Sequence, residues 1–281
     1  MPYTYNYKVT VRSYECDAHR RVRPGVLLQF MQEAAIQASA SVGYSPTRYD
    51  EIGLLWLAYE TDLRILRPIT REDSLVINTW VADMRRVRSL RRYEMYCDGA
   101  IVGEASTDWV LLNLQNLHPT TVPDDMLAAY AQGEPPTDPL PRRGIDMPPV
   151  PADAYHVQRR VEIRDIDMAA HVNNAVYLYY AEDAEEQALT QVGWPVSRLD
   201  AEGLLLAPTR ISIAYKQAAV LGDVLDLATW TGEVTAEGGV RYTLITRGDK
   251  VITQIRAEWR AFNPKTADAV ALPEDLLAAL G

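Results

Sequence analysis

The sequence predicts an α+β chain built from two tandem copies of one module, each a single buried helix wrapped by an antiparallel sheet. Three observations predict it. First, the chain matches itself without a gap at an offset of 150 residues. Val11, Asp17, Val22, Val26 and Leu28 recur as Val161, Asp167, Val172, Val176 and Leu178. Gln37-Ala38, Gly53-Leu54-Leu55, Thr79-Trp80, Trp109 and Asn113 recur as Gln187-Ala188, Gly203-Leu204-Leu205, Thr229-Trp230, Trp259 and Asn263. Second, the copies flank a proline-dense stretch, Gln132-Gly133-Glu134-Pro135-Pro136-Thr137-Asp138-Pro139-Leu140-Pro141, with Arg142-Arg143 and then Pro148, Pro149 and Pro151. Proline at that density excludes helix and sheet interiors and favours an extended linker. Third, hydrophobic patterning repeats in the same order in both halves. The expected layout is a module over residues 1–130, a linker over 131–154 and a module over 155–281. Two such modules are expected to pair as a covalent dimer.

Taken in order, each module opens with a short alternating strand, Tyr5 to Ser13 and His156 to Arg164. A turn follows, then the helix. In the first copy Val26, Leu27, Phe30, Met31, Ala34, Ala35 and Ala38 cover most of the helix, leaving Gln29, Glu33 and Gln37 as a narrow polar stripe at i, i+4, i+8. A helix so apolar is expected to be buried. Four strand-like runs come next, near 54–66, 73–84, 89–97 and 101–113, with counterparts at 204–216, 223–234, 239–247 and 250–262. Asp98-Gly99 and Gly248-Asp249 stand where two-residue hairpin turns belong.

Composition narrows the function classes. The 281 residues are 48% hydrophobic and 23% charged, enough to build real cores. A formal net charge of −10 argues against nucleic acid as a partner, since a phosphate backbone calls for a basic surface. The N-terminus has neither a basic nor an apolar leader region, and no run approaches the length of a membrane span, so a cytoplasmic protein is expected. Cys16 and Cys97 lie in unrelated contexts and encode neither a disulfide framework nor a metal cage, so no metal and no cofactor is expected.

The densest cluster of chemistry is the loop Ile166-Asp167-Met168-Ala169-Ala170-His171-Val172-Asn173-Asn174-Ala175-Val176-Tyr177. A carboxylate and an imidazole four residues apart, ahead of a helix start, can activate a water and stabilise an oxyanion. Capping of the helix by Asp and Asn is the plainer alternative. With Asp165 included, this run resembles the D-x-D-x-x-G-H-V-N-N-x-x-Y signature of hotdog acyl thioesterases, Ala170 replacing the glycine. In the first copy Val11-Arg12-Ser13-Tyr14-Glu15, Arg91-Arg92-Tyr93-Glu94 and Trp109-Val110-Leu111-Leu112-Asn113 resemble the N-terminal half of acyl-ACP thioesterases, the double-hotdog enzymes of plants and bacteria.

The resemblance implies a tandem double hotdog fold and hydrolysis of fatty acyl-ACP or acyl-CoA thioesters in fatty acid biosynthesis, part of lipid metabolism. It implies Asp167 and His171 as catalytic, Asp167 acting as base or nucleophile. Asn173 and Asn174 join them as candidates for the catalytic loop, weighed against packing the helix start. The amides opening the helix are expected to be free for an oxyanion. The chain departs from the family at Ala169, where the pattern has Asn, and at Tyr215-Lys216-Gln217-Ala218-Ala219-Val220, where it has a Glu-Cys pair. Simpler acyl-CoA hotdog thioesterases likewise keep only the Asp.

The matching loop of the first copy keeps Asp17, with Arg21 in the place of His171, so an ion pair is expected there rather than a base. Glu33 and its counterpart Asp183 sit on the helices, either as substrate-site carboxylates or as satisfied side chains at the seam between modules. Tyr177 is weighed between substrate contact and core. Arg85, Arg86, Arg88, Arg91 and Arg92 form one basic run in an acidic chain, either a solvated face or a docking surface for coenzyme A phosphates or acidic acyl carrier protein. A homodimer is an open expectation. Two rival readings are a catalytically inactive acyl-ligand binder and, from Pro24-Gly25-Val26-Leu27-Leu28, a relative of hydroxyacyl-ACP dehydratases, against which Phe30 stands at the position where those enzymes have a Glu.

Overall fold

A computed structural model describes residues 3–131 and 144–281, so the proline-dense stretch over 132–143 lies outside the described residues. The chain divides into two compact units, Met1–Gly144 and Ile145–Gly281, each holding one copy of the repeat.

In the first unit β1 (Tyr5–Thr10) leads through a 3-10 turn at Ser13–Glu15 into α1 (Pro24–Ser41) and the short α2 (Pro46–Ile52). Then come β2 (Leu54–Ile65), β3 (Ser74–Arg85), β4 (Arg88–Cys97), β5 (Ala100–Asn113) and α3 (Asp124–Tyr130). The strands pair antiparallel in the order β1-β3-β4-β5-β2. The second unit repeats the plan: β6 (Tyr155–Arg160), a 3-10 turn at Ile163–Asp165, α4 (Val176–Gln191), α5 (Val196–Ala201), β7 (Leu205–Tyr215), β8 (Val224–Thr235), β9 (Gly238–Arg247), β10 (Lys250–Phe262) and α6 (Glu274–Leu280). Its strands pair in the order β7-β10-β9-β8-β6.

Local chemistry accounts for the boundaries. Arg23, held extended by the proline after it, lets Pro24 open α1 at a position that needs no N–H. Ser45 caps α2 by accepting from the Arg48 amide at 3.2 Å, and Gly53 ends it in the left-handed region at φ 67°. Both central residues of the Asp98-Gly99 turn take positive φ, 50° and 78°, the geometry that matches strand twist in a two-residue hairpin. The long strands fall where alternation placed them. The first strands do not run as far as expected: both stop at position ten of their copy, where the chain bends into the 3-10 turn. Short helices α2, α3, α5 and α6 were not anticipated, because six or seven residues hold too few turns to show a period.

α1 lies against β1 and β3, and α4 against β6 and β8. The α1 core face is as apolar as its sequence, with Leu27 and Leu28 only 1% and 2% exposed. Burial on that scale stabilises the fold by roughly 1.5–3 kcal/mol per large aliphatic side chain. The two copies also share polar detail: Tyr5 donates to Gln37 at 3.2 Å, and Tyr155 to Gln187 at 3.0 Å.

Candidate active site

The Asp167 loop is a tight turn held by its own backbone. The Asp167 amide donates to the His171 carbonyl at 3.1 Å, and the Ala170 amide returns to the Asp167 carbonyl at 3.0 Å. Ala170 takes φ 62°, the left-handed conformation that glycine adopts at least cost, which explains why the resembling signature carries Gly there. Arg20 takes φ 64° at the equivalent place in the first copy. Further ties fix the loop: the Val172 amide donates to the Ala219 carbonyl at 2.9 Å and the Asn173 amide to the Asp165 carbonyl at 2.9 Å. Asp165 is buried and accepts from the Tyr180 hydroxyl at 2.6 Å, so it anchors the loop to α4.

Within this frame the Asp167 carboxylate meets neutral donors. One oxygen accepts the Ala169 amide at 2.9 Å and the other the Asn173 side-chain amide at 3.3 Å. The His171 imidazole lies alongside, Nδ1 at 3.8 Å from Oδ1, beyond hydrogen-bond range but within electrostatic reach. The Asp167 and His171 side chains are 24% and 20% exposed, enough to meet a ligand or a water. At its far end His171 Nε2 is buried with no hydrogen-bond partner among the described residues, and so is Asn174 Oδ1. Buried polar atoms are normally satisfied, which makes two unpartnered atoms within one loop unusual.

Asn173 works as a brace. Its Nδ2 donates to Asp167 while its Oδ1 accepts the Ala175 amide at 3.0 Å. This corrects the expectation of free amides at the helix start, because the amides of Asn173, Ala175 and Val176 are all bonded within the loop. His171 Nε2 is the loop's ring nitrogen without a partner among the described residues. Asn174 is held through its carbonyl, which accepts the Tyr215 hydroxyl at 3.0 Å. Tyr177 is core, 3% exposed, its ring 5.9 Å from that of Tyr215 and its oxygen accepting the Ala219 amide at 3.3 Å. Burial pushes the Tyr177 hydroxyl pKa up to about 12. Tyr215 and Asp165 were missed as supports of the site. Tyr215 reads as an ordinary strand residue, and nothing in spacing reveals a bond spanning 41 positions.

The first copy makes the opposite use of the same turn. Asp17 accepts the amides of His19 and Arg21, each at 2.9 Å, and the Arg21 guanidinium at 2.7 Å. That is the ion pair the sequence suggested. On the helices, Glu33 accepts from Gln37 at 2.8 Å, and Asp183, 54% exposed, pairs with Arg159 at 3.3 Å.

The five arginines do not form one surface, because strand alternation separates them. Arg85 and Arg86 are exposed at the β3–β4 hairpin, Arg85 pairing with Asp83 at 2.9 Å. Arg88 pairs with Asp108 and lies over the Tyr59 ring, while Arg92, half-buried, lies over Trp80. Arg91 is inside, 5% exposed, donating to the Thr79 hydroxyl at 3.3 Å. Among the described residues no helix is long and apolar enough to cross a membrane.

The fold class is plain from comparison. A Lactobacillus plantarum structure described as an oleoyl thioesterase superposes with a TM-score of 0.80 at 18% identity, covering 97% of this chain and 98% of that one, which establishes the tandem hotdog fold. A model of the acyl-ACP thioesterase N-terminal domain matches residues 2–130, and one of the thioesterase-like superfamily matches residues 161–280. The oleoyl-acyl carrier protein thioesterase 1 of Arabidopsis thaliana is 24% identical over 253 residues, 84% of this chain and 66% of that protein. The long-chain acyl-CoA thioesterase FadM of Escherichia coli K12 is 26% identical over 124 residues, 43% of this chain and 93% of that protein. The chain belongs to the acyl-ACP thioesterase family. It spans 45% to 67% of the length of the first plant relatives.

Proposed function

We propose that this protein hydrolyses fatty acyl thioesters, with acyl carrier protein as the carrier and Asp167 as the reacting carboxylate. The observation that supports this most is the contrast between two equivalent loops: Asp17 is neutralised by Arg21, while Asp167 is held by neutral donors beside an imidazole whose Nε2 has no partner among the described residues. A carboxylate positioned without a counter-charge is left open to a bound water or to the substrate.

In the reaction the acyl carbonyl lies against His171 Nε2, which donates to the carbonyl oxygen as charge builds on it. Asp167 takes a proton from water as the oxygen attacks the carbonyl carbon, or attacks directly to give a mixed anhydride that water then opens. The C–S bond breaks and the thiolate leaves, taking up the proton. Either route converts thioester and water to fatty acid and thiol, with Asn173 holding the carboxylate in aim. Release of free fatty acid from carrier protein places the reaction in fatty acid biosynthesis. Exposed Arg85 and Arg86 suit the acidic surface of acyl carrier protein, or the phosphates of coenzyme A.

The test is thiol release from acyl-ACP and acyl-CoA panels of graded chain length. Hydrolysis with a clear preference for the ACP series supports the reading in full; preference for the CoA series changes the carrier and keeps the chemistry. No release from any substrate contradicts it.

A further inference from the structure

The two units differ in what meets a buried arginine that both of them keep. In the second unit Arg241 on β9, 5% exposed, faces Glu185 on α4; burial lowers the arginine pKa and raises that of the glutamate, and each charge offsets the other in part. Counting back 150 residues, the first unit keeps the arginine as Arg91 but has Ala35 in place of Glu185. Among the described residues Arg91 has no carboxylate partner: its contacts are the Thr79 hydroxyl at 3.3 Å and the Tyr130 ring at 6.0 Å. An enclosed cation without a counter-charge is costly, and natural cores avoid it unless something completes the pair. A second buried polar group stands beside it. The Tyr93 hydroxyl, two residues along on the same face of β4, lies near the Thr107 hydroxyl and the Trp109 indole but makes no hydrogen bond of good geometry among the described residues. The corresponding residue of the second unit, Thr243, is satisfied by Thr229 at 3.1 Å.

We infer that Arg91 and Tyr93 form an interior binding site for a ligand carboxylate borne on an alkyl chain, the carboxylate taking the place that Glu185 fills in the second unit. Arg91 supplies a two-pronged donor and Tyr93 a hydroxyl, which together suit a carboxylate. The apolar company is close: the Tyr130 ring over which Arg91 sits stacks on Tyr44, within a cluster holding Leu54, Leu111, Val122 and Met126. Two sources offer that chemistry, a free fatty acid and an acyl chain ending in a carboxylate. Neither depends on chemistry at Asp167, so binding is read apart from turnover.

The experiment measures the Kd of laurate and of dodecan-1-ol for the full chain carrying Asp167→Ala, and then with Arg91→Gln or Ala35→Glu added. A charge-assisted site is expected to favour laurate over the alcohol by about tenfold or more. Arg91→Gln is expected to erase that preference. Ala35→Glu is expected to erase it too, since it rebuilds the second unit's internal pair and leaves Arg91 in place. In parallel, kcat/KM of the wild type is compared for lauroyl-CoA and 11-carboxyundecanoyl-CoA. Preference for the second assigns the site to the chain end; laurate binding without that preference assigns it to free fatty acid. Equal binding of laurate and alcohol overturns the proposal, as does a preference that survives Ala35→Glu, the variant that decides alone should Arg91→Gln not fold.

Discussion

Asp17 and Asp167 share a backbone turn yet meet different side chains, because the residue four places on is Arg21 in one copy and His171 in the other. A guanidinium at 2.7 Å engages the Asp17 carboxylate in an ion pair; at Asp167 an imidazole stands 3.8 Å away and leaves the carboxylate open to a water or a substrate. Replacing His171 with Gln removes the imidazole and is expected to lower kcat on the preferred thioester by about 10²–10³-fold, the usual cost of one oxyanion donor. KM should move little, because the interaction forms as charge develops. Steady-state kinetics of the purified variant measure this. A parallel rise in KM with kcat unchanged would make His171 a ground-state contact instead. Asp167, His171 and their setting were legible in the sequence because all lie within one short loop. Their hydrogen-bond partners were less so, since the amides offered to an oxyanion turned out to be consumed by Asn173, a detail of loop closure that spacing does not encode.

Among the elements, α4 does most to place the site. It carries Tyr177 and Tyr180, which tie the loop and the segment after β7 to the core through the Ala219 amide and Asp165. Tyr177→Phe strands the buried Ala219 amide and is expected to cost about 1–3 kcal/mol in denaturant unfolding while leaving kcat/KM unchanged. Lost activity at full stability would restore Tyr177 to the substrate contacts. Further along the helix, Glu185→Leu should destabilise the second unit by on the order of 3 kcal/mol by leaving Arg241 alone, and Glu185→Leu with Arg241→Met should recover most of it. The sign with pH follows from the raised carboxyl: Glu185 binds its proton more tightly folded than unfolded, so its contribution is greatest at low pH and is lost as pH rises through the folded value. The helices bearing these residues were visible from their apolar faces. The short α2, α3, α5 and α6 were not, and neither was the inward turn of Arg91, which reads as one more charge in a basic run until β4 fixes its register.

Across the whole chain the repeat is the main design fact. Its offset of 150 residues is visible by eye, and the two units reproduce it strand for strand. The proposed division of labour between the copies rests on a few differences, Arg21 for His171 and Ala35 for Glu185 among them. With a net charge of −10 the chain as a whole repels an acidic carrier, so the proposed docking is expected at a local basic patch, for which exposed Arg85 and Arg86 are the candidates. Arg85→Glu with Arg86→Glu is expected to reduce kcat/KM for acyl-ACP severalfold at low salt, an effect that fades as ionic strength rises, with no change on a short thioester lacking the carrier. Equal loss on both substrates would place the effect in folding or chemistry. The central claim, that Asp167 is the reacting carboxylate, is tested most directly by thiol release from acyl-ACP with Asp167→Asn, which keeps the acceptor for the Ala169 amide. The expected result is a loss of about 10²–10⁴-fold in kcat with an unchanged unfolding transition; near wild-type turnover by the folded variant would contradict it.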